Sequence, residues 1–460
     1  MASSKTTLLR PARPARIARA QTQKHPSATA RAGTSAHAGA PSSAVPHSAN
    51  ISQFTLTNGI RVFVYENFNS PAVVVNGFMN TGAFDEPRAL AGLAGFTTDC
   101  LMRGTRRFPY ERMFELTESV GANLNVSSGV FTTGMFSKSL AEDLPMMLDL
   151  LSDAIRYPTF PAQEIEKERE EWLTGLQERA NNTRAMTSMA FYELAYPSAH
   201  PFHYSSDGYP ETARAITVDD VRNFHKTYFT PGGMTMVVVG AVKAEEARDR
   251  IEAAFGDWSA TRLERPAVPA VPAIRGQHRK HVTMPGKSQS NLLLGYPAAS
   301  RIDPDWLECT LMNSILGQFG MYGRLGESVR KEEGLVYYIG SRFEGDIVAG
   351  PWSIYAGTNP STVERVLEVS LGEMRRMRSR KVKPSELEDN KRYFTGVMPL
   401  QMETNEGIAG QIINMIRYDR GLDYLLTYHE RVNAVTVAAI QAVAEKWLDP
   451  DNFVLVTAGA

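Results

Sequence analysis

The sequence predicts an α+β protein built as two homologous halves, each a mainly antiparallel sheet packed with helices. Three observations carry that prediction. The chain has 460 residues, more than one ordinary core organises and enough for two domains of roughly 200 residues. Residues 216–241, ITVDDVRNFHKTYFTPGGMTMVVVGA, align without a gap on residues 435–460, VTVAAIQAVAEKWLDPDNFVLVTAGA, an offset of 219 residues (435 against 216). Helix, aromatic pair, proline, strand and Gly-Ala ending coincide, and a period this long marks a duplicated domain rather than a solenoid. The order strand, helices, hairpin, helices, strand, with many strands adjacent in sequence, points to α+β halves on mainly antiparallel sheets.

Composition bounds the function. The chain is 43% hydrophobic and 22% charged, as a soluble globular protein is. Lys plus Arg number 49 against 50 for Asp plus Glu, so no global field recruits nucleic acid or an anionic membrane. No run approaches the roughly 18 apolar residues of a spanning helix. Cys100 and Cys309 cannot build a disulfide framework, and neither lies in a CxxC.

Residues 1–50 stand apart. They hold no Asp or Glu, and Arg10, Arg13, Arg16 and Arg19 recur every third residue. Ala, Ser and Pro fill the rest, so this arm is expected to be disordered. It reads either as an Arg-rich, acid-poor targeting segment or as an unprocessed leader. The expected compartments are accordingly the bacterial periplasm or cytoplasm, with the mitochondrial matrix as the alternative.

From Thr55 to Asn67 the pattern is a hairpin: a short strand, an Asn58-Gly59 turn, then alternating Ile60, Val62 and Val64. Val73–Met79 is apolar almost throughout and reads as a central strand. Leu90–Thr105 follows as a helix with Leu90, Leu93, Ala94, Leu101 and Met102 inward and Gly104 as its stop. Pro109–Val120 opens with proline in its first turn and is a second helix. Strands are expected over 122–127 and 131–137. Two long helices come next, one striped by Leu144, Met147, Leu148, Leu151 and Ile155, the other over 162–181 with a charged run, Glu166 to Glu170, on a solvated face. A strand over 234–239 closes the first half, 51–262.

Arg265–Ile274 reads RPAVPAVPAI, a semi-rigid extended linker placed at 263–280. The second half, 281–460, contains ILGQFGMYGRLGESVRKEEGLVYY over 315–338. A helix runs into Gly317-x-x-Gly320-x-x-Gly323 and a second helix carries Arg324, Leu325 and Val329. No Gly-Lys-Ser/Thr follows, which excludes a phosphate loop. The glycines permit a tight helix-to-helix turn.

The frame around Gly92, Ala94, Gly104 and Thr105 resembles that of the pitrilysin-type zinc metallopeptidases, the inverzincins, whose helix carries His-x-x-Glu-His. Two histidines at i and i+4 share one metal, with the glutamate as base. In this chain the three chemical positions are Gly95, Thr98 and Asp99. The family's third ligand is a glutamate seven residues beyond the Glu of a Glu-Arg pair. Glu168-Arg169 fits that pair, and the ligand position falls on Gly175. No metal is therefore expected on this chain, and Asp99 reads as a neutral surface or cavity-facing residue. His200 and His203, in HPFHY, match a loop of the family and are expected to serve in hydrogen bonding. His278 and His281 sit in a basic context that repels a cation.

The resemblance also implies what the chain keeps. Arg330 and Tyr337 stand seven apart with Gly334-Leu335 before the tyrosine, as at the family's second catalytic element. There the tyrosine hydroxyl donates to an oxyanion and the arginine binds substrate backbone. The other reading of the same residues pairs Arg330 with Glu332 or Glu333 and starts a strand at Tyr337. Residues 121–125, GANLN, are similar to the family's edge strand, which holds substrate by strand addition. The basic cluster Arg375, Arg376, Arg378, Arg380, Lys381 and Lys383 complements a helix dipole.

Taken together, the resemblance implies half of a clam-shell chamber. It resembles the half-size, processing-peptidase-like subunit that lacks His-x-x-Glu-His but keeps the Arg/Tyr pair. Its expected partners are a homologous chain carrying the intact motif and its zinc, and unfolded peptide substrates, with no nucleic acid and no membrane span. The alternative is a structural subunit like the core proteins of a respiratory complex.

Overall fold

The structure, a computed structural model, describes residues 45–259, 264–318 and 322–460. Most of the expected N-terminal arm, and Gly320 of the glycine series, lie outside the described residues. The last part of that arm does not behave as expected. Val45 packs on a buried cluster, and His47 to Ile51 form a turn closed by the Asn50 side chain, so residues 45–51 belong to the folded body.

In the first half the strands are β1 (Ser52–Thr55), β2 (Arg61–Glu66), β3 (Ala72–Met79), β4 (Asn123–Ser128), β5 (Thr133–Leu140) and β6 (Thr235–Gly240). They form one sheet in the order β1-β2-β6-β3-β5-β4. The Asn58-Gly59 turn is as predicted, with Gly59 at φ 88°. β3 lies between β6 and β5, and its continuous apolar run is explained by burial on both faces. The second half has β7 (Gln277–Thr283), β8 (Ser290–Pro297), β9 (Val336–Phe343), β10 (Pro351–Thr358) and β11 (Phe453–Gly459), ordered β7-β11-β8-β10-β9. Apart from β1, the two sheets have one topology. In each, the first and last strands of the half pair in parallel and every other pair is antiparallel.

The first half carries α1 (Leu93–Cys100), α2 (Tyr110–Ser119), α3 (Leu144–Arg156), α4 (Ala162–Ala180), α5 (Thr183–Ala195), α6 (Pro210–Ala215), α7 (Val218–Tyr228) and α8 (Ala244–Phe255). The second carries α9 (Trp306–Asn313), α10 (Val363–Ser379), α11 (Pro384–Gln401), α12 (Asn405–Arg417), α13 (Tyr424–Ala434) and α14 (Val437–Trp447). Residues 314–318 and 326–332 are π-helical, wide turns that recur at functional sites. No helix among the described residues is long and apolar enough to cross a membrane.

Two sequence expectations need correction. The helix expected over 90–105 spans only Leu93–Cys100: Gly92 takes φ 94° just before it, and it ends at its cap Leu101, ahead of the glycine expected to stop it. The charged run on α4 is not wholly solvated. Arg169 is buried, with its guanidinium over the Phe96 ring and donating to the Ala213 carbonyl. The linker prolines fall in an irregular stretch, and His278 and His281 lie on β7, which begins at Gln277.

The halves are stitched together by an exchange of helices. α5, from the first half, packs on β8 and β11 through Ala190, Phe191 and Ala195 against Leu293, Val454 and Val456. α12, from the second, packs on β3 and β6 through Ile408, Ala409, Ile412 and Met415 against Val74, Val237 and Val239. Residues 45–460 accordingly form one compact unit.

Candidate functional site

Everything around α1 is arranged at its first turn. Gly92 caps the helix in a left-handed conformation, and a Cβ there would lie 2.6 Å from the Trp172 ring and 2.8 Å from Gly208 Cα. Glycine is required on both counts. The Glu86 carboxylate accepts the Gly92 and Ala94 amides, each at 2.8 Å, satisfying donors that an α-helix leaves open. Burial pushes that carboxyl up to about 7, against the pull of the amides. Phe96 stacks on Trp172 of α4 with centroids 4.9 Å apart, fixing α1 against α4.

Gly95, Thr98, Asp99 and Gly175 all line one cavity of about 450 Å³, together with Ser127 and Ser128 of the edge strand β4, Trp172 and Asp207. The four positions singled out in the sequence are thus brought to one cavity wall. Its chemistry is not that of a metal site. A Cβ on Gly95 would meet only the Ser206 carbonyl, at 3.6 Å, and one on Gly175 would meet nothing within 4 Å. Both positions have room for larger side chains and carry none. The Thr98 hydroxyl is turned back, donating to the Gly95 carbonyl at 2.7 Å.

Of the four frame positions, Asp99 is the one with a carboxylate. Enclosure in the cavity, then the like charges of Glu168 and Asp207, push it up to about 6, with Arg103 opposing. Arg103 is itself held by Glu168 and, at 3.0 Å, by Glu171. Among the described residues no group of three or more His, Cys, Asp or Glu could hold a metal ion, and a catalytic zinc needs about three such ligands. The family's zinc does not fit these residues. His200 and His203 serve the loop: His200 is buried, accepts the Phe202 amide and is driven down to about 4 by burial, while the His203 ring bonds the Tyr196 carbonyl at 2.8 Å.

Arg330 and Tyr337 are not among the residues lining that cavity. They belong to the turn from the π-helical segment 326–332 into β9. Gly334, at φ 67°, makes the turn, with its amide and that of Leu335 donating to the Arg330 and Val329 carbonyls. That is the physical reason for the glycine in the motif.

Tyr338 pairs in register with Gly357, and Val336 with Thr358, so Tyr337 is the extra residue of a bulge. Bulges re-aim side chains, and Tyr337 is 64% exposed. Tyr338 points the other way and is committed: its hydroxyl donates to Asn291, and the Arg184 guanidinium lies 4.7 Å from its ring. The other reading paired Arg330 with Glu332 or Glu333, and of these Glu333 is taken on both oxygens by Arg365. Arg330 is exposed. Among the described residues neither Arg330 nor Tyr337 has a side-chain hydrogen bond or ion pair.

The sequence reasoning missed Glu86 and Arg103, which organise the cavity rim. A lone acid six residues before Gly92 gives no periodic signal. Arg103 sits just past the helix that the frame describes.

Comparison with known proteins agrees with this anatomy. Residues 61–201 match the family model described as Insulinase (Peptidase family M16), and residues 215–394 match Peptidase M16 inactive domain. An uncharacterized zinc protease of Bacillus subtilis is 23% identical over 409 residues, covering 87% of this chain and 96% of its own length. A probable mitochondrial-processing peptidase subunit beta of Arabidopsis thaliana is 22% identical over 403 residues, 86% of this chain and 75% of that one. The crystal structure of a peptidase M16 inactive domain from Pseudomonas fluorescens superposes with a TM-score of 0.82 at 24% identity, covering 89% of this chain and 98% of that one. A duplicated α+β fold, two M16 models in succession and an M16 frame assembled around one cavity mean that the chain belongs to the pitrilysin-like M16 peptidase family.

Proposed function

We propose that this chain is the zinc-free partner in a two-chain peptidase. It lends Arg330 and Tyr337 to a homologous chain whose intact His-x-x-Glu-His supplies the zinc and the general base, and the two close around an unfolded peptide. The supporting observation is a contrast within one molecule. Of the metal-ligand positions, two are glycines and only Asp99 keeps a carboxylate, while the arginine and tyrosine are exposed, uncommitted and set by a bulge and a left-handed glycine.

The Tyr337 hydroxyl would donate to the oxyanion that develops on the scissile carbonyl, and the Arg330 fork would hold a neighbouring peptide carbonyl. Enclosure of the peptide between two chains excludes water and limits substrates to flexible segments.

The test is co-expression with a homologous chain that carries the intact motif. Cleavage of an unfolded peptide is expected only with both chains. Tyr337→Phe should then lower kcat by about 10²–10³-fold, the usual cost of one oxyanion donor. If the partner cleaves at full rate alone, the reading fails. If the assembly forms and needs both chains, yet Tyr337→Phe and Arg330→Ala run at the wild-type rate, this chain is a structural subunit.

A further inference from the structure

Two tyrosines in succession, Tyr337 and Tyr338, stand where β9 begins. A slip of one residue in a strand turns every side chain to the other face. Such a slip here would exchange one tyrosine for the other, so something must decide which hydroxyl is displayed.

The deciding contacts run across the sheet in one row. Asn291 of β8, Gly357 of β10 and Tyr338 of β9 are successive register partners, so their side chains share a face. The Tyr338 hydroxyl donates to Asn291 Oδ1, two strands away, a span of roughly 10 Å between the outer backbones. Gly357 leaves the path open: a Cβ there would lie 2.5 Å from Tyr338 Cε1 and 2.8 Å from Cζ. Asn291 is buried and is held at its other end, with Nδ2 donating to the Thr183 hydroxyl. Thr183 opens α5, the helix that the first half lends to this sheet. Asn182 caps that helix, accepting the Arg184 and Ala185 amides at 3.0 and 3.2 Å. Arg184 then lies over the Tyr338 ring. On the other side of the bulge Val336 pairs with Thr358, whose hydroxyl donates to the Leu335 carbonyl at 2.5 Å. Tyr337 stands between two residues that are both held.

We propose that Asn291 is the positioning residue of the Arg330/Tyr337 element. By fixing Tyr338 across Gly357 it sets the register in which Tyr337, and not its neighbour, meets the peptide. Because Thr183 orients Asn291, the first half of the chain has a part in placing a tyrosine of the second. The inference rests on the reading of Tyr337 as an oxyanion donor and adds to it the residue that presents that donor.

The test is a double-mutant cycle on peptide cleavage by the co-expressed two-chain assembly. Tyr338→Phe removes one oxygen and keeps the ring; Asn291→Ala removes the acceptor. Each should lower kcat about 10-fold, the worth of one hydrogen bond holding the productive register, and leave KM unchanged. In a Tyr337→Phe background neither should lower kcat further, because residues that act through one group are not additive. Full additivity overturns the proposal, since a general loosening of the fold would slow the enzyme whichever residue stood at 337. Wild-type rates for Tyr338→Phe and Asn291→Ala beside a slow Tyr337→Phe overturn it alone and leave the peptidase reading standing. A wild-type rate for Tyr337→Phe sinks that reading and this inference with it. If Asn291→Ala does not assemble, Tyr338→Phe, the smaller change, decides.

Discussion

Asp99 occupies a ligand position of the family frame without a second ligand beside it, and its charge is now a burden on the fold. The folded carboxyl is raised to about 6 from its ordinary value of 3.8, so the neutral form is favoured in the native state. Stability from this group is fully present below the unfolded value, and it is lost as pH rises through about 6. Asp99→Asn should therefore stabilise the protein at pH 8 and be near neutral at pH 3, below the unfolded value. The gain is about 1 kcal/mol, discounted because the side chain meets solvent in the cavity. Urea titrations at the two pH values measure it, and a stabilisation independent of pH would contradict the electrostatic account. Gly95, Thr98 and Asp99 were legible in the sequence because that stretch is contiguous, and Gly175 because it stands seven residues beyond Glu168. The commitment of Tyr338, which leaves Tyr337 as the available hydroxyl, was legible only as strand alternation. Asn291 and Arg184, which make that commitment, are 47 or more residues away in the chain and gave no local signal.

Helix α1 and the glycine turn of the second half are short elements fixed by single contacts. Glu86 receives the first amides of α1, and Glu86→Ala leaves them buried and unpaired. A cost of about 1–2 kcal/mol follows from cap deletions of this type, with loss of protection at the Gly92 and Ala94 amides in hydrogen exchange. Gly317 is held more tightly still: a Cβ there would lie 2.7 Å from Leu325 Cδ1, 2.8 Å from Ser341 Oγ and 2.9 Å from the Ser341 amide. A Cβ on Gly323, in turn, would lie 2.9 Å from Gly317 Cα. The backbones of Gly317 and Gly323 approach closely, and Gly317→Ala should destabilise by about 1–3 kcal/mol through overpacking. Thermal unfolding measures that cost. A variant with unchanged Tm would show that the segment yields freely. The boundaries of α1 were misread because apolar periodicity runs on through Leu90, while the left-handed Gly92 interrupts the helix.

At the scale of the whole molecule, the duplication was written in the sequence and the helix exchange was not. The repeat of 216–241 at 435–460 predicts two sheets of one topology, and they are present. α5 gave no stripe to read, since TRAMTSMAFYELA is apolar on several sides. It touches β8 and β11 on one side and α4 and the loop at 201–203 on the others. The stripe on α12, Ile408, Ile412 and Met415, is regular, but a stripe does not say which sheet it covers. The consequence is cooperative. Phe191, fully buried and carried by the first half, fills the core against Leu293, Val454 and Val456 of the second. Its truncation to alanine should cost about 3–5 kcal/mol. Because α12 closes the reverse contact on β3 and β6, that cost should appear as a shift of one transition, with near-UV and far-UV dichroism coincident. Two separated transitions, or a piece spanning residues 45–259 that folds alone with native-like near-UV signal, would show that the halves are independent bodies. If they unfold together, the two halves cannot open against each other without exposing both exchanged interfaces, and the chain enters any assembly as a single rigid wall.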